Sequence, residues 1–209
     1  ATQGAVALIS SRSLESLESM GLPGNVNVAG LYGLQARAFD GTSVIRMPEN
    51  YNRVRGATAD LRELTRDHPE LHLEDKGLAV SVRCPGPAGL TRMVLMHMQD
   101  AVLRLGPAYH LVARNNVVEI KPRKANKGNA IRDYLVNPPF RGRDPVFIGD
   151  DISDEDAFGV VNDLRGFTVR VGNVRRGMTR ARCALPSVSA LLDWLEQLLR
   201  DNGAETGRA

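Results

Sequence analysis

The chain has 209 residues, of which 43% are hydrophobic and 24% are charged, so it can bury a core of its own without stabilisation by disulfide bonds or structural metal ions. A net charge of +3 with only 5% aromatic residues does not indicate a nucleic-acid surface, which needs basic and aromatic side chains interleaved. No apolar run approaches the roughly 18 residues that span a bilayer, and the two cysteines have neither metal-binding nor disulfide spacing; we therefore expect a cytoplasmic protein.

Residues 1–46 have the pattern of a parallel α/β sheet, in which short apolar strands alternate with a helix. The first strand stops at Ser10 and the second runs into Gly30. Ser13 precedes the helix and is a favoured N-cap residue. The predicted elements are a strand at 6–9, a helix at 13–20 and a strand at 26–29.

Residues 47–121 alternate helices with paired strands, which indicates a small α+β domain inserted into the first domain. The α/β pattern then returns over residues 122–209, so the chain is predicted to be one split domain with one insert. The insert is predicted to contain helices at 51–68 and 91–105, two short strands within 71–83, and strands at 109–113 and 117–120. The last part is predicted to contain helices at 127–136, 155–164 and 187–199, and strands at 145–148 and 167–171.

The strongest chemical signal is an acidic cluster that follows the strand at 145–148. Five carboxylates fall within the seven residues 150–156, directly after Gly149. Such a cluster repels itself unless a cation or basic groups neutralise it, and α/β sheets bind ligands at the carboxyl ends of their strands. Oxygen ligands of this kind suit Mg2+ shared with a phosphate. The alternative is a solvated helix start, because Asp and Glu also stabilise a first helical turn.

Two further polar residues stand where an anion can bind. Lys127 begins a predicted helix, and the helix dipole disfavours a cation there unless an anion is held at the same place. Ser10 ends the first predicted strand, where its hydroxyl can donate to a phosphate oxygen. The alternative for each is an ordinary surface position. Because Lys127 and Asp150 are separated by one helix and one strand, we expect both to reach the same edge of a parallel sheet.

In this order, strand-Ser, Lys-Gly and Gly-Asp-Asp-x-x-Asp resemble motifs two to four of the haloacid-dehalogenase-like phosphohydrolases. The longer strings are similar to those of trehalose-phosphatases: ALISSRSLESL, VAGLYGLQ, LEDKGLAVSV, VEIKP, NKGNAI and VFIGDDISDEDAF. The resemblance covers residues 6–198. It implies a Rossmann-like, haloacid-dehalogenase-like parallel-sheet core covered by the α+β insert as a cap domain.

The resemblance implies hydrolysis of trehalose 6-phosphate to trehalose and phosphate, the final step of trehalose biosynthesis, and gives each matching residue a role. Ser10 would bind the transferring phosphoryl group, and Lys127 would neutralise its charge. Asp150 would ligate Mg2+, with Asp151 and Asp154 holding the metal shell. The residues that match substrate-binding positions are Gly30, Gly33, Glu74, Lys76, Glu119 and Glu155.

One motif of the family does not occur in these 209 residues. The Asp-x-Asp-Gly-Thr segment carries the nucleophilic aspartate of the family and should end a strand before Ser10. The tripeptide Asp40-Gly41-Thr42 resembles only the tail of this motif and lies after Ser10, so we reject it as a substitute. We expect a longer protein or a fragment that is inactive and unstable by itself, because the absent strand would be central in the sheet.

Three functions are compatible with the sequence. The first is a Mg2+-dependent trehalose 6-phosphate phosphatase. The second is a non-catalytic sugar-phosphate-binding module that regulates a trehalose-synthesising partner enzyme; the absent nucleophile favours it, while the retained Lys127, Asp150 and Asp154 oppose it. The third is a phosphatase for another sugar phosphate, against which the GDDxxDED and EDKG strings count.

Overall fold

The computed structural model describes residues 4–114, 116–173 and 177–205, with the backbone alone at 202–205. Within these residues, every predicted strand and helix is present, with shifts of a few residues at the ends. The strands are β1 (Ala7–Ile9), β2 (Asn27–Gly30), β3 (Gln35–Arg37), β4 (Ser43–Ile45), β5 (His72–Asp75), β6 (Val80–Arg83), β7 (Tyr109–Arg114), β8 (Val117–Pro122), β9 (Val146–Gly149), β10 (Phe167–Val171) and β11 (Cys183–Leu185). The helices are α1 (Leu14–Ser19), α2 (Tyr51–Arg66), α3 (Ala88–Leu105), α4 (Lys127–Leu135), α5 (Glu155–Asp163) and α6 (Val188–Glu205).

The first sheet has the order β1-β2-β3-β4. Strands β1 and β2 are parallel, as predicted, and Ser13 caps the helix between them by accepting from the N–H of Ser16. Strands β3 and β4 extend the sheet in antiparallel fashion and were not predicted, because each has only three residues and a short run carries little periodicity. At the turn between them, Asp40 accepts a hydrogen bond from the N–H of Thr42, so this tripeptide ends no parallel strand.

The second sheet is antiparallel, has the order β5-β6-β8-β7, and is covered by α2 and α3. Apolar side chains of these helices and strands form one buried core, in which Met98 of α3 and Tyr109 of β7 are fully buried. Burial of apolar surface contributes about 25 cal/mol per Å2, so this core is the main source of stability of the insert. The predicted α+β architecture of the insert is confirmed.

The third sheet has the order β11-β10-β9 and is parallel throughout. Helix α5 packs on β9 and β10, and α4 packs on α5. A β-carbon added at Gly128 would lie 2.7 Å from Cγ2 of Val160 and 2.9 Å from the carbonyl oxygen of Asp156. The glycine of the Lys-Gly motif is therefore required because the two helices approach too closely there for a side chain.

Contacts divide the chain into two compact units, Ala7–Ala125 and a second unit formed by Ala1–Val6 with Asn126–Ala209. The first unit contains the first and second sheets, and the second unit contains the third sheet. The predicted division into a core at 1–46, a cap at 47–121 and a core at 122–209 stays a prediction. Among the described residues, no helix has the length and apolar character that a membrane crossing requires.

Candidate active site

The acidic segment after β9 forms a tight loop around one buried carboxylate. Asp154 is only 2% exposed. Its Oδ2 accepts hydrogen bonds from the backbone N–H of Asp150 at 2.9 Å and from that of Asp151 at 2.8 Å. Two amide donors on one charged oxygen hold the backbone of the loop, so Asp154 positions the two aspartates that precede it.

Gly149 allows this carboxylate to approach the backbone. A β-carbon at position 149 would lie 2.5 Å from Cγ and 2.6 Å from Oδ2 of Asp154. Both distances are far inside van der Waals contact, and the hydrogen bonds of the Asp154 carboxylate prevent it from moving away. The glycine before the acidic cluster is therefore required by the close approach of Asp154.

We expect Gly149→Ala to lower the free energy of unfolding by about 2–3 kcal/mol, because the added methyl group overlaps Asp154 or breaks the two amide hydrogen bonds. The matched control is Gly56→Ala inside α2, where an added β-carbon would meet no atom within 4 Å. This control should gain about 0.5–1 kcal/mol from helix propensity. Urea denaturation of both variants measures the difference, and a Gly149→Ala variant as stable as the wild type would contradict the assigned role.

Lys127 supplies the opposite charge for the buried carboxylate. It is the first residue of α4, whose N-cap Asn126 accepts from the N–H of Asn129 at 2.7 Å. Its ammonium Nζ donates to Oδ1 of Asp154 at 2.5 Å, and both residues are buried. The structure thus joins the Lys-Gly motif to the acidic motif, and a carboxylate of the chain itself is the anion that Lys127 contacts.

The carboxylates of Asp150 and Asp151 differ in the hydrogen bonds that they accept. Oδ1 of Asp151 accepts from the N–H of Ile152 at 2.6 Å, and Oδ2 accepts from the hydroxyl of Ser153 at 3.1 Å. These bonds cap the short 3-10 helix Ile152–Asp154. Asp150 is exposed, and no donor in the described part of the chain contacts its carboxylate. Asp150 is therefore the most available of the three predicted metal residues.

The donor set of this loop consists of oxygens and fits Mg2+. In proteins, Mg2+ is commonly held by one or two carboxylates, with water and substrate phosphate completing its shell. Residues 4–114, 116–173 and 177–205 contain no group of three or more His, Cys, Asp or Glu side chains arranged to hold a metal ion. Asp150 offers a carboxylate for the metal, whereas Asp154 fits a positioning role because both its oxygens already accept hydrogen bonds.

Glu155, a predicted substrate-binding residue, is engaged on both carboxylate oxygens. Oε1 accepts from the hydroxyl of Thr179 at 2.8 Å and Oε2 accepts from the N–H of Arg180 at 2.6 Å. Nη1 of Arg170 lies 3.6 Å from Oε1. These contacts fasten residues 179–180 to the start of α5, while the substrate role of Glu155 stays a prediction.

Ser10 belongs to the unit Ala7–Ala125 and lies directly after β1, as predicted. Its N–H donates to the carbonyl of Ala29 at 2.8 Å, which places it in register with the end of β2. Its hydroxyl oxygen accepts from the N–H of Arg12 at 3.1 Å. A hydroxyl that accepts in this way can still donate its own proton, which suits the predicted contact with a phosphoryl oxygen.

Gly30 and Gly33 have structural reasons to be glycine. A β-carbon at Gly30 would lie 2.9 Å from the backbone nitrogen of Leu14 and 3.1 Å from the carbonyl oxygen of Arg12. Gly33 has a φ of 98°, a region that favours glycine because a β-carbon is strained there. Both glycines shape the 3-10 turn Leu31–Gly33, and their predicted contacts with the sugar stay predictions.

A second cluster of charged side chains surrounds Glu119 of β8, which is 6% exposed. Its Oε1 accepts from Nζ of Lys76 at 2.8 Å, and its Oε2 accepts from the hydroxyl of Tyr32 at 2.7 Å. Oε2 of Glu74 lies 3.6 Å from Nζ of Lys76 and accepts from the hydroxyl of Ser81 at 3.2 Å. The structure therefore brings together Glu74, Lys76 and Glu119, three of the predicted substrate-binding residues.

Tyr32 and Lys121 belong to this cluster but were not predicted as site residues. Nζ of Lys121 lies 3.8 Å from the centroid of the Tyr32 ring and donates to the carbonyl of Ala125 at 2.9 Å. Burial, followed by the negative charge of Glu119, raises the pKa of Tyr32 well above its usual range. The available signal was the position of Tyr32 between two glycines at a strand end, since a buried tyrosine hydroxyl needs a partner.

Comparison with known proteins identifies sequence relatives. A family model described as trehalose-phosphatase matches residues 1–188. The chain is also 35% identical over 199 residues to the trehalose-6-phosphate phosphatase of Escherichia coli (strain K12). This match covers 95% of the chain and 73% of that protein.

Solved structures share the fold. A trehalose-6-phosphate phosphatase related protein aligns with a TM-score of 0.73 and 24% identity, over 94% of this chain and 82% of that one. The C-terminal domain of the Candida albicans trehalose synthase regulatory protein aligns with a TM-score of 0.63 and 16% identity, over 90% of this chain and 79% of that one. At these identities the likeness concerns the fold alone, whereas the family model and the 35% identity concern the sequence itself. On that evidence, the chain belongs to the trehalose-phosphatase family.

Proposed function

We propose that this chain carries the phosphate-binding and sugar-binding residues of a Mg2+-dependent phosphatase that hydrolyses trehalose 6-phosphate to trehalose and phosphate. The observation that carries the proposal is the carboxylate of Asp154, which binds the ammonium of Lys127 through one oxygen and the N–H of Asp150 through the other. This arrangement connects a cation, through one carboxylate, to the backbone of the exposed Asp150 after a strand of a parallel sheet. Phosphoryl transfer needs such fixed charges because its catalysis is mainly electrostatic.

Each residue of this loop has a distinct part in the proposal. Lys127 offsets negative charge on the phosphoryl group, and Asp154 holds Lys127 and the loop in place. Asp150 would hold Mg2+, which when bound neutralises charge on the phosphoryl oxygens as a Lewis acid. The phosphoryl contact of Ser10, which belongs to the unit Ala7–Ala125, stays a prediction.

The cluster around Glu119 supports a sugar as the rest of the substrate. The hydroxyls of a disaccharide need donors and acceptors in fixed positions, and buried charged side chains that are already hydrogen-bonded provide them. The side chains of Lys76 and Glu119 are 9% and 8% exposed, whereas that of Glu74 is 50% exposed. We assign the sugar contacts to these three residues and to Gly30 and Gly33, and we keep Glu155 as a candidate.

The phosphoryl acceptor is a separate part of the proposal. No Asp-x-Asp-Gly-Thr motif occurs in these 209 residues, so we assign the phosphoryl acceptor to none of them. We also place the reaction in the cytoplasm, whose reducing conditions suit the unpaired thiols of Cys84 and Cys183.

The experiment that tests the proposal measures phosphate release from trehalose 6-phosphate with Mg2+. It compares the 209-residue chain with a version extended at its N-terminus by a strand that carries the Asp-x-Asp-Gly-Thr motif. Release by the extended chain, lost on removal of Mg2+ by a chelator, is the expected result. Sucrose and mannosyl phosphates serve as control substrates, and faster turnover of either one would identify a different sugar-phosphate phosphatase.

A regulatory module is the second candidate, because a trehalose synthase regulatory protein of Candida albicans contains a domain with the same fold. In that role the chain would bind trehalose 6-phosphate without hydrolysing it and would act on a trehalose-synthesising partner enzyme. Calorimetric binding of trehalose 6-phosphate by both versions, with no phosphate released by either, would favour this candidate over the phosphatase.

A further inference from the structure

The hydroxyl of Tyr32 and the ammonium of Lys76 together determine the orientation of the Glu119 carboxylate. Each oxygen of Glu119 receives one donor, Nζ of Lys76 at 2.8 Å on Oε1 and the hydroxyl of Tyr32 at 2.7 Å on Oε2. A hydrogen bond to a charged group is stronger than one between neutral groups, and a buried carboxylate loses more when a donor is removed. Without the Tyr32 hydroxyl, the Glu119 carboxylate can rotate about its bond to Lys76.

Backbone hydrogen bonds at Tyr32, the residue that orients the Glu119 carboxylate, connect it to the end of β1. Its N–H donates to the carbonyl of Ser10 at 2.8 Å, and the N–H of Leu31 donates to the carbonyl of Arg12 at 2.8 Å. One residue therefore connects the strand end that carries the proposed phosphoryl-binding Ser10 with the proposed sugar-binding Glu119. A contact of this kind sets the spacing between a phosphate and the sugar that bears it.

The turn that carries Tyr32 is strained and held in place by its surroundings. Leu31 and Tyr32 have φ values of 48° and 57°, in the left-handed region that disfavours residues with a β-carbon. Such a conformation costs roughly 1–2 kcal/mol per residue and persists only where tertiary contacts stabilise it. Leu31 is fully buried and Tyr32 is 7% exposed, so packing supplies that stabilisation. Strain of this kind is concentrated at functional sites.

The ring and the hydroxyl of Tyr32 have separable roles. The ring lies under the ammonium of Lys121 at 3.8 Å, and phenylalanine would keep this contact. Burial and the charge of Glu119 raise the pKa of Tyr32, so its hydroxyl stays protonated and acts as a donor at any pH at which the enzyme works. Tyr32→Phe therefore removes the hydrogen bonds of the hydroxyl with Glu119 and Ser11 and leaves the packing of the turn.

We propose that Tyr32 is a positioning residue for sugar recognition, which acts by orienting Glu119 at a fixed distance from the phosphoryl-binding end of β1. The inference rests on the proposed phosphatase function and extends it. Tyr32 discriminates a sugar phosphate from a small phosphate ester, because only the former reaches Glu119. Tyr32 does not touch the reacting atoms, so the rate of phosphoryl transfer does not depend on it.

The test compares steady-state kinetics of the N-terminally extended chain and its Tyr32→Phe variant on trehalose 6-phosphate and on p-nitrophenyl phosphate. We expect KM for trehalose 6-phosphate to rise about tenfold, with kcat and the hydrolysis of p-nitrophenyl phosphate unchanged within about twofold. Tyr51→Phe is the matched control, because Tyr51 packs against the same apolar cluster as Tyr32 but makes no contact with Glu119 among the described residues. Tyr51→Phe should leave kcat and KM unchanged for both substrates.

A double variant tests whether Tyr32 acts through Glu119. In a Glu119→Ala background, adding Tyr32→Phe should raise KM no further, because the residue that it positions is gone. An unchanged KM in Tyr32→Phe, an equal loss on both substrates, or additive effects in the double variant would each overturn the inference and leave the phosphatase function standing. An extended wild type that releases no phosphate from trehalose 6-phosphate would instead overturn the proposed function, and the inference with it.

Discussion

Asp150→Asn is expected to lower kcat for trehalose 6-phosphate by about a thousandfold in the extended chain, because it removes the charged oxygen ligand of Mg2+. The fold should not change. The carboxylate of Asp150 contacts no donor among the described residues, while its N–H, which bonds to Oδ2 of Asp154, is retained. The free energy of unfolding should therefore stay within about 0.5 kcal/mol of the wild type.

The measurements are phosphate release at several Mg2+ concentrations and calorimetric titration with Mg2+. Asp156→Asn is the matched control, because Asp156 is an exposed aspartate of the same acidic segment, in the first turn of α5. It should keep both turnover and Mg2+ binding. Turnover and Mg2+ affinity near wild-type values in Asp150→Asn would show that another residue holds the metal.

Lys127→Met is expected to lower the free energy of unfolding by about 3–5 kcal/mol and to abolish turnover. The ammonium of Lys127 and the carboxylate of Asp154 form a buried pair, with side chains 11% and 3% exposed. Removal of the ammonium leaves a buried carboxylate without its ion-pair partner. This unpaired, desolvated charge raises the free energy of the folded state. The two N–H groups on Oδ2 offset only a part of this cost.

Urea denaturation measures the loss of free energy of unfolding. A double-mutant cycle with Asp154→Asn separates the interaction energy of the Lys127–Asp154 pair from the effects of the single substitutions. The double variant should be more stable than the sum of the single variants predicts, because it buries no unpaired charge. Arg132→Met is the matched control, since Arg132 is an exposed cation on the same helix, α4. A loss below about 1 kcal/mol in Lys127→Met would show that the pair behaves like a solvated surface ion pair.

The elements that the sequence predicts correctly are those with a strong local pattern. Ser13 caps α1 as predicted, and β10 spans Phe167–Val171, the bounds predicted for it. Strands β3, β4 and β11 were missed because each has only three residues and none has an apolar run of four residues, such as the one at 6–9 that marked the equally short β1. These short strands form because a neighbouring strand offers its hydrogen-bonding edge, which is a tertiary condition.

The candidate site residues also divide into those with a local sequence pattern and those that depend on tertiary contacts. Residue type and order along the chain predicted the positions of Ser10, Lys127 and Asp150 correctly, since a strand end, a helix start and an acidic cluster are local features. Their roles in the site stay predictions. Tyr32 was missed because its partner, Glu119, lies 87 residues away in the sequence. Its left-handed backbone was equally hidden, because tyrosine has no preference for that conformation and tertiary packing imposes it.

By itself, the sequence determined the family, the α/β fold class and the identity of the charged residues in each of the two clusters. Tertiary structure alone decided which partner each of these charged groups contacts. It committed Asp154 to Lys127 and to two backbone amides, left Asp150 exposed, and joined Glu119 to Lys76 and Tyr32. The physical reason is that residue type fixes which groups can donate, accept or bind a metal. Burial and distance between remote segments decide which partner each group takes, and so which carboxylate remains for a ligand.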